Sequence, residues 1–180
     1  MAETDTQFIR PELILQQVGL QPGMQVADLG CGLGYFALLA AKITGGRGKV
    51  YAVDVQKSVL EQVKKEAQVQ NVIGIETVWS DIETVGATKI AAHTLDMVFL
   101  INTLFQVKHK EAVFAEARRL MKPGGFLLVV DWSPGDTAMG PPVESRLDLG
   151  KIKAMANAAG LVFQKDITAG SHHFGLLFQS

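Results

Sequence analysis

The sequence predicts an α/β protein built on a doubly wound parallel sheet with helices on both faces. Five short apolar, β-compatible segments alternate with helical patterns along most of the 180 residues. The fourth segment, LDMVFLI, is a nearly continuous apolar run interrupted only by Asp96, as expected of a central parallel strand buried on both faces. Two further strand-like segments close the chain. The gap between them, 168–171, is too short for a parallel crossover, so they form a hairpin or lie antiparallel about a shared neighbour.

Composition indicates one ordinary globular domain over residues 1–180. The chain is 48% hydrophobic and 19% charged, and no apolar run reaches the length of about 18 residues that a membrane span needs. Its formal net charge of −1 argues against a nucleic-acid or anionic-membrane surface. The lone cysteine and scattered histidines give no metal-site spacing, so no metal is expected. Because the amino terminus lacks a signal-peptide pattern, a cytoplasmic location is expected.

The first element is a predicted leading helix. Apolar residues recur with helical spacing between Ile9 and Val18, with Pro11 near the start and Gly19 after the end. Residues 1–22 are therefore expected either to pack on the domain as a leading helix or to cover its ligand site as a lid.

A glycine turn follows, within Gln25–Phe36 (QVADLGCGLGYF), which has the pattern of a strand, a turn and a helix. Gly30, Gly32 and Gly34 allow positive φ and close ligand approach, and the helix start offers unpaired N–H groups. The stretch thus predicts a nucleotide-like cofactor, with a purely structural turn as the alternative. The spacing G-x-G-x-G differs from the dinucleotide fingerprint G-x-G-x-x-G. Asp28 would repel a pyrophosphate and suit a cationic ligand.

The second strand, KVYAVDV, ends at Asp54, about twenty residues beyond the glycine turn. In a βαβ unit this strand lies beside the first, so the Asp54 carboxylate can accept from two ribose hydroxyls. Val55, which follows, is placed to pack on an adenine face. A solvated aspartate at a strand end is the alternative interpretation.

A second crossover helix is predicted after Ser58, which has the pattern of an N-cap, and leads to a third strand at Gly74–Trp79. Ser80, Asp81 and Ile82 follow that strand. Asp81 can accept from the adenine amine and Ile82 can cover the ring, or Asp81 caps the next turn.

The remaining predicted elements complete the alternation. In order they are a strand at Leu95–Ile101, a helix at Lys108–Leu120, a strand at Phe126–Val130, a helix at Leu147–Ala159 and two strands at 161–167 and 172–179. The Gly- and Pro-rich segment 133–146 is expected to be a loop over the site or a disordered connection.

These stretches together resemble the class I (Rossmann-like) S-adenosylmethionine-dependent methyltransferases. The matching residues are DLGCGLG at 28–34, Asp54, Ser80-Asp81, LDMVFLIN at 95–102 and LMKPGGFLLVV at 120–130. The resemblance implies a seven-strand sheet of order 3-2-1-4-5-7-6 with strand 7 antiparallel. It also implies S-adenosylmethionine as cofactor and S-adenosylhomocysteine as product.

The same resemblance implies a set of cofactor contacts. Gly30 and Gly32 would pass close to the methionine part, and Asp28 would hold the loop or, through water, the ammonium group. Asp54 would bind the ribose. The full set implied is Asp28, Gly30, Cys31, Gly32, Gly34, Asp54, Val55, Ser80, Asp81, Ile82 and Asn102, the last beside the sulfonium.

The segment from Gly140 to Leu161 is similar to the small bacterial ubiquinone/menaquinone and arsenite-type branch. Arsenite methylation would need several thiols, so the lone Cys31 favours another small-molecule acceptor. The sequence after the fourth strand lacks the Asn-Pro-Pro-aromatic signature of amino methyltransferases. Asp131-Trp132 lacks the Asp-Asn pair of magnesium-dependent catechol-type enzymes. The oligomeric state is left open.

Strand direction predicts a general base. An antiparallel seventh strand begins at the cofactor edge of the sheet, which places His172 and His173 there, with Asp131 arriving on the fifth strand. One imidazole, oriented by Asp131, could accept a proton from the nucleophile. The alternative is that the two histidines simply begin an apolar strand. At the level of function, a nicotinamide-dependent oxidoreductase and a non-catalytic cofactor-binding module are the alternatives.

Overall fold

The computed structural model describes residues 9–135 and 139–180 and contains one seven-stranded sheet of order β3-β2-β1-β4-β5-β7-β6. The strands are β1 Gln25–Leu29, β2 Lys49–Asp54, β3 Ile75–Trp79, β4 Leu95–Ile101, β5 Met121–Trp132, β6 Val162–Ile167 and β7 His173–Gln179. The helices are α1 Pro11–Gln17, α2 Tyr35–Thr44, α3 Lys57–Val69, α4 Lys110–Leu120 and α5 Leu149–Ala158. Strands β1 to β5 are parallel and β7 is antiparallel to β5 and β6, so the predicted fold is confirmed.

Helices cover both faces of the sheet, as the apolar pattern of the strands requires. In β4, Met97 and Phe99 pack with α1, α2 and α3, whereas Val98 and Leu100 pack with α4 and α5. Side chains alternate along a strand, and paired residues share a face. Asp28 is paired with Phe99, so it lies on the face of α1 to α3.

The leading helix is a packed element. Ile14 and Leu15 of α1 are buried. The side-chain amide of Gln17 donates to the carbonyl of Thr168 at 3.0 Å and accepts from its N–H at 2.9 Å, which fastens α1 to the turn before β7. Residues 1–8 of the predicted lid lie outside the described residues. The single-domain organisation of residues 1–180 and the lid at 1–22 stay predictions.

Two local predictions were wrong. The fifth strand is longer than Phe126–Val130 because residues 122–125 bulge out of an extended strand, where the pairing shifts from Leu95/Met121 to Met97/Phe126. The helix α3 begins at Lys57 after an extended Gln56, so Ser58 is not its N-cap.

Arg146 organises the described parts of the loop after β5. Its guanidinium donates to the carbonyl oxygens of Pro141 at 3.0 Å and Met139 at 2.8 Å, and also to that of Gly135. Gly140 packs against the Trp132 ring so closely that a Cβ there would lie 2.5 Å from it. These contacts pack the described part of the loop together and against the end of β5, and residues 136–138 lie outside the described residues.

None of the helices in residues 9–135 and 139–180 has the length and apolarity that crossing a membrane demands.

Candidate functional site

The turn after β1 is packed so closely that its first glycine has no room for a side chain. Gly30 has φ +81°, and a Cβ there would lie 2.7 Å from Cγ2 of Thr103. The N–H groups of Gly30 and Cys31 both donate to the carbonyl of Val53, at 2.8 and 2.9 Å. The first glycine is therefore required by packing as well as by φ.

The other two glycines of the turn differ from each other in what surrounds them. Gly32 has φ +50° and a Cβ there would meet nothing within 4 Å, so this position opens onto a cavity. Gly34 has φ +78°, and a Cβ would lie 2.8 Å from Cγ2 of Val63 in α3. Gly34 lines neither of the cavities described next, so the structure gives it a packing role at the start of α2.

Two cavities meet at the glycine turn, and Gly30 lines both. Cavity A has a volume of about 600 Å³, and its wall includes Ile9, Asp28, Gly30, Cys31, Tyr35, Ile101 and Asn102. Cavity B has a volume of about 300 Å³, and its wall includes Gly30, Gly32, Asp54, Val55, Ser80, Asp81 and Ile82. Ten of the eleven predicted cofactor residues therefore lie on these walls.

Cavity A presents acceptor oxygens that have no donor among the described residues. Asp28 is only 2% exposed and its Oδ1 is unpaired. Oδ1 of Asn102 is also buried and unpaired, and Asn102 adopts φ +52°, a conformation that asparagine tolerates better than most residues. Because buried acceptors without donors are costly, this wall is built to receive a donor, and a cation suits it best.

Burial sets the charge of Asp28. It raises the pKa of this carboxyl to about 7, with a smaller contribution from the nearby Asp54 charge, while a backbone hydrogen bond from Ala37 partly offsets the rise. Near pH 7 the side chain is therefore poised between its neutral and ionised forms, and a bound cation would favour ionisation. Burial also raises the pKa of the Cys31 thiol beyond its usual range, so Cys31 stays neutral.

The raised pKa of Asp28 predicts a pH-dependent gain in stability for Asp28→Asn. Between about pH 4 and 7 the folded state holds a proton on Asp28 that the unfolded chain has released. The contribution of Asp28 to the free energy of unfolding therefore falls as pH rises and is lowest above pH 7. Asparagine removes the buried charge. We expect its melting temperature to exceed that of the wild type by several degrees at pH 8, where about 1 kcal/mol corresponds to roughly 2–4 °C, and to match it only near pH 4, where both states of the wild type hold the proton. An equal shift at both pH values, in thermal unfolding without ligand, would contradict this electrostatic account.

Cavity B offers acceptors and an apolar cover at the ends of β2 and β3. The Asp54 carboxylate accepts the N–H of Gly32 at 3.0 Å and the N–H of Gln56 at 2.9 Å, so it braces the glycine turn. The Ser80 hydroxyl is buried and unpaired. Val55 is 55% exposed at the cavity wall, and its carbonyl accepts the indole N–H of Trp79 at 2.9 Å. A diol and a flat heteroaromatic ring fit this set.

The predicted catalytic residues line neither cavity. His173 is paired with Trp132 across β7 and β5, and the two rings lie 4.1 Å apart. Both ring nitrogens of His173 and Nδ1 of His172 are buried without partners among the described residues. Burial, and secondarily His172, lowers the pKa of His173 to about 4.

Asp131 does not orient either histidine. Its oxygens accept the N–H groups of Trp132 at 2.8 Å and Phe105 at 3.3 Å. It is paired with Phe174, one residue after His173, so its side chain lies on the opposite face of the sheet from His173. Burial raises the pKa of Asp131 to about 6. The expected orienting contact is absent among the described residues, because side-chain alternation turns Asp131 away from His173 and backbone N–H groups occupy its oxygens.

Sequence reasoning also missed residues that shape the two cavities. Thr103 fills the space under Gly30, and its hydroxyl oxygen lies 3.1 Å from the carbonyl oxygen of Ile101 and 3.2 Å from that of Leu29, either of which can accept its one proton. Glu83 and Gln106 lie on the wall of cavity B. Only their positions after the third and fourth strands could have indicated them.

Known proteins share both the sequence pattern and the fold. A family model described as "Methyltransferase domain" matches residues 20–173. A curated relative from Cupriavidus taiwanensis, a ubiquinone/menaquinone biosynthesis C-methyltransferase, is 30% identical over 141 residues, which are 78% of this chain and 55% of the relative. The chain thus spans about half the length of the curated relatives it matches.

Solved structures agree with the family match. A S-adenosylmethionine-dependent methyltransferase from Aquifex aeolicus superposes with a TM-score of 0.88 at 25% identity, covering 99% of this chain and 93% of that one. A protein described as a putative type 11 methyltransferase, from Sulfolobus solfataricus, superposes with a TM-score of 0.77 at 23% identity, covering 96% of this chain and 92% of that one, and supports the fold alone. Since the family model covers most of the chain, the protein belongs to the methyltransferase domain family.

Proposed function

We propose that this chain transfers the methyl group of S-adenosylmethionine to a small-molecule acceptor and releases S-adenosylhomocysteine. The observation that carries the proposal is the pairing of the two cavities at Gly30. Cavity A holds unpaired acceptor oxygens for an ammonium group, and cavity B holds the Asp54 carboxylate for a ribose diol. One molecule with a cation at one end and an adenosine at the other satisfies both cavities.

The residues of this chain would act by binding and alignment. Asp28 would accept from the ammonium group, Asp54 from the ribose, and Asp81 from the adenine amine, with Ile82 and Val55 against the ring. Bound S-adenosylmethionine would supply an electrophilic methyl carbon, and the acceptor's nucleophile would attack that carbon in line with the carbon–sulfur bond, with S-adenosylhomocysteine as the leaving group. Because alignment alone supplies on the order of 7–11 kcal/mol, no further catalytic group is obligatory.

The acceptor would enter cavity A, where Asn102 and Ile101 border the glycine turn. Ile9 and Tyr35 make part of the wall apolar, and its charged side chains are Glu12, Asp28 and Lys42. With Asp28 facing the ammonium group, Glu12 and Lys42 balance each other, so this wall favours a neutral organic acceptor. The curated relative is named for C-methylation in ubiquinone and menaquinone biosynthesis. Small organic acceptors methylated at carbon are therefore the first class to test.

The nicotinamide alternative is not favoured. A dinucleotide would place its pyrophosphate at the glycine turn, where the buried Asp28 carboxylate would repel it. The family match points the same way.

Thermal unfolding with added ligands tests the cofactor directly. S-adenosylhomocysteine at about a hundred times its Kd should stabilise the fold by about 2.7 kcal/mol, or roughly 5–10 °C. NAD and NADP at the same concentration serve as the comparison. A larger shift with either dinucleotide, or none with S-adenosylhomocysteine, would overturn the proposal. Binding without turnover across a broad acceptor panel would favour the non-catalytic module.

The histidine base stays a prediction, and we expect its contribution to be small. A base with a pKa of about 4, as burial gives His173, provides little driving force at pH 7. Turnover of His172→Ala and of His173→Phe, which keeps a ring against Trp132, should each fall less than tenfold, with cofactor affinity as the control. A loss in the range of 10²–10⁴-fold would establish the base.

A further inference from the structure

Glu83 joins two loops that the sheet topology leaves apart. Its Oε2 accepts the N–H groups of Lys108 at 2.9 Å and His109 at 2.6 Å, just before α4 begins. His109, the N-cap residue of α4, makes no side-chain capping bond of its own. The helix start is therefore capped from the loop that follows β3, 25 residues earlier in the chain.

The two joined loops both line cavity B, and they follow β3 and β4, which flank β2 and β1 in the sheet. Residues 80–83 line the cavity on the β3 side, and Thr103, Gln106 and Val107 line it on the β4 side. The carboxylate of Asp81 accepts the N–H of Glu83 at 2.9 Å, so the predicted adenine-binding residue also holds the Glu83 backbone. On the β4 side, the Gln106 amide donates to the carbonyl of Asn102 at 2.8 Å. The Glu83 contact thus ties together two loops that line the cavity on its two sides.

A second contact keeps α4 docked independently of Glu83. The buried Glu116 carboxylate accepts from Gly86 N–H at 2.8 Å, from the Thr88 hydroxyl at 2.6 Å and from the Arg119 guanidinium at 2.8 Å. None of these four residues lines cavity B. Removing the Glu83 carboxylate should therefore loosen the two loops that line cavity B and leave the helix in place.

We propose that Glu83 is a positioning residue, which fixes the loop 102–109 over the adenosine part of the cofactor by capping α4. This inference rests on the proposed function, because the occupant of cavity B is taken to be the adenosine of S-adenosylmethionine. Glu83 acts through the loop and helix start and needs no contact with the reacting atoms.

The test compares S-adenosylhomocysteine binding by calorimetry in three variants of the full chain. Glu83→Ala removes the cap and should weaken binding about five- to twentyfold. Glu83→Gln retains an oxygen that accepts both N–H groups and should bind within about threefold of the wild type. Glu111→Ala removes a carboxylate from the first turn of the same helix and does not touch cavity B, so its affinity should stay within about twofold.

Amide hydrogen exchange shows whether the ligand slows exchange in the loop before α4. A contact that only caps the helix would not produce this ligand-dependent change. In the wild type, S-adenosylhomocysteine should slow exchange at residues 105–109. The slowing should persist in Glu111→Ala and be lost in Glu83→Ala. This measurement on the wild type keeps the inference testable even if Glu83→Ala does not fold.

The outcomes separate this inference from the proposed function. A wild type that does not bind S-adenosylhomocysteine overturns the proposed function and this inference with it. A wild type that binds, with Glu83→Ala folded and within twofold of it, overturns this inference alone. Unchanged exchange at residues 105–109 on ligand addition in the wild type has the same consequence.

Discussion

Replacing Gly32 with valine should abolish cofactor binding and leave a folded protein. A Cβ at this position meets nothing within 4 Å inside the protein, so valine causes no internal clash, but its side chain would project toward cavity B, where the ligand approaches. The left-handed φ of +50° adds backbone strain of about 1–2 kcal/mol, which a typical domain survives. We expect calorimetry to show S-adenosylhomocysteine affinity at least a hundredfold weaker, about 2.8 kcal/mol.

Gly19→Val is the matched control for backbone strain. Gly19 has φ +71°, is exposed after α1 and has open space at its Cβ, yet it lines neither cavity. Its variant should lose a similar amount of stability and bind S-adenosylhomocysteine within about twofold of the wild type. If Gly32→Val also bound normally, the second glycine would serve the turn alone.

The sheet could be predicted from the sequence because its strands are defined by local signals. The run of β4, apolar except for Asp96, and the mainly apolar start of the glycine stretch give Leu95–Ile101 and Gln25–Leu29 with their observed bounds. The bulge in β5 could not be found this way. It depends on how residues 122–125 sit beside β4, where Lys122 pairs with Asp96 at 2.7 Å.

Residues on the cavity walls could be predicted from the sequence where they directly follow a strand. Asp54, Ser80 and Asp81 stand at the ends of neighbouring strands, so topology alone gathers them on one cavity. Residues that act across long sequence separations were not predictable. Thr103 beneath Gly30 is one example, because its hydroxyl meets a carbonyl 74 residues earlier in the chain.

Asp54 should be the most sensitive polar residue of the site, because it has two tasks. Each of its oxygens already accepts one backbone N–H, from Gly32 and from Gln56, and each keeps a lone pair for a ribose hydroxyl. Asp54→Ala loses the oxygens that would accept from the ribose hydroxyls. It also loses the two hydrogen bonds that hold the glycine turn, from the N–H groups of Gly32 and Gln56. Loss of a charged acceptor costs about 1.5–3 kcal/mol, so S-adenosylhomocysteine should bind roughly ten- to a hundredfold more weakly in calorimetry.

Two companion variants show which task matters. In Asp54→Asn the amide NH₂ would replace one oxygen and face a backbone N–H, so asparagine cannot serve both Gly32 and Gln56. We expect it to lose at least tenfold in affinity. Asp166→Ala removes an exposed carboxylate from the edge strand β6 and should bind within about twofold of the wild type. Normal binding by a folded Asp54→Ala would remove Asp54 from the site.

The pH dependence of binding gives Asp54 a further signature. Burial, with help from the Asp54 charge, keeps the pKa of Asp28 near 7 in the free protein. A cationic ligand binds the ionised form, so wild-type affinity for S-adenosylhomocysteine should rise as pH increases from 5.5 to 7.5. In Asp54→Ala the repulsion is gone and the pKa of Asp28 falls, so the rise should begin at lower pH. Affinity independent of pH in the wild type would show that Asp28 does not meet the ligand's cation.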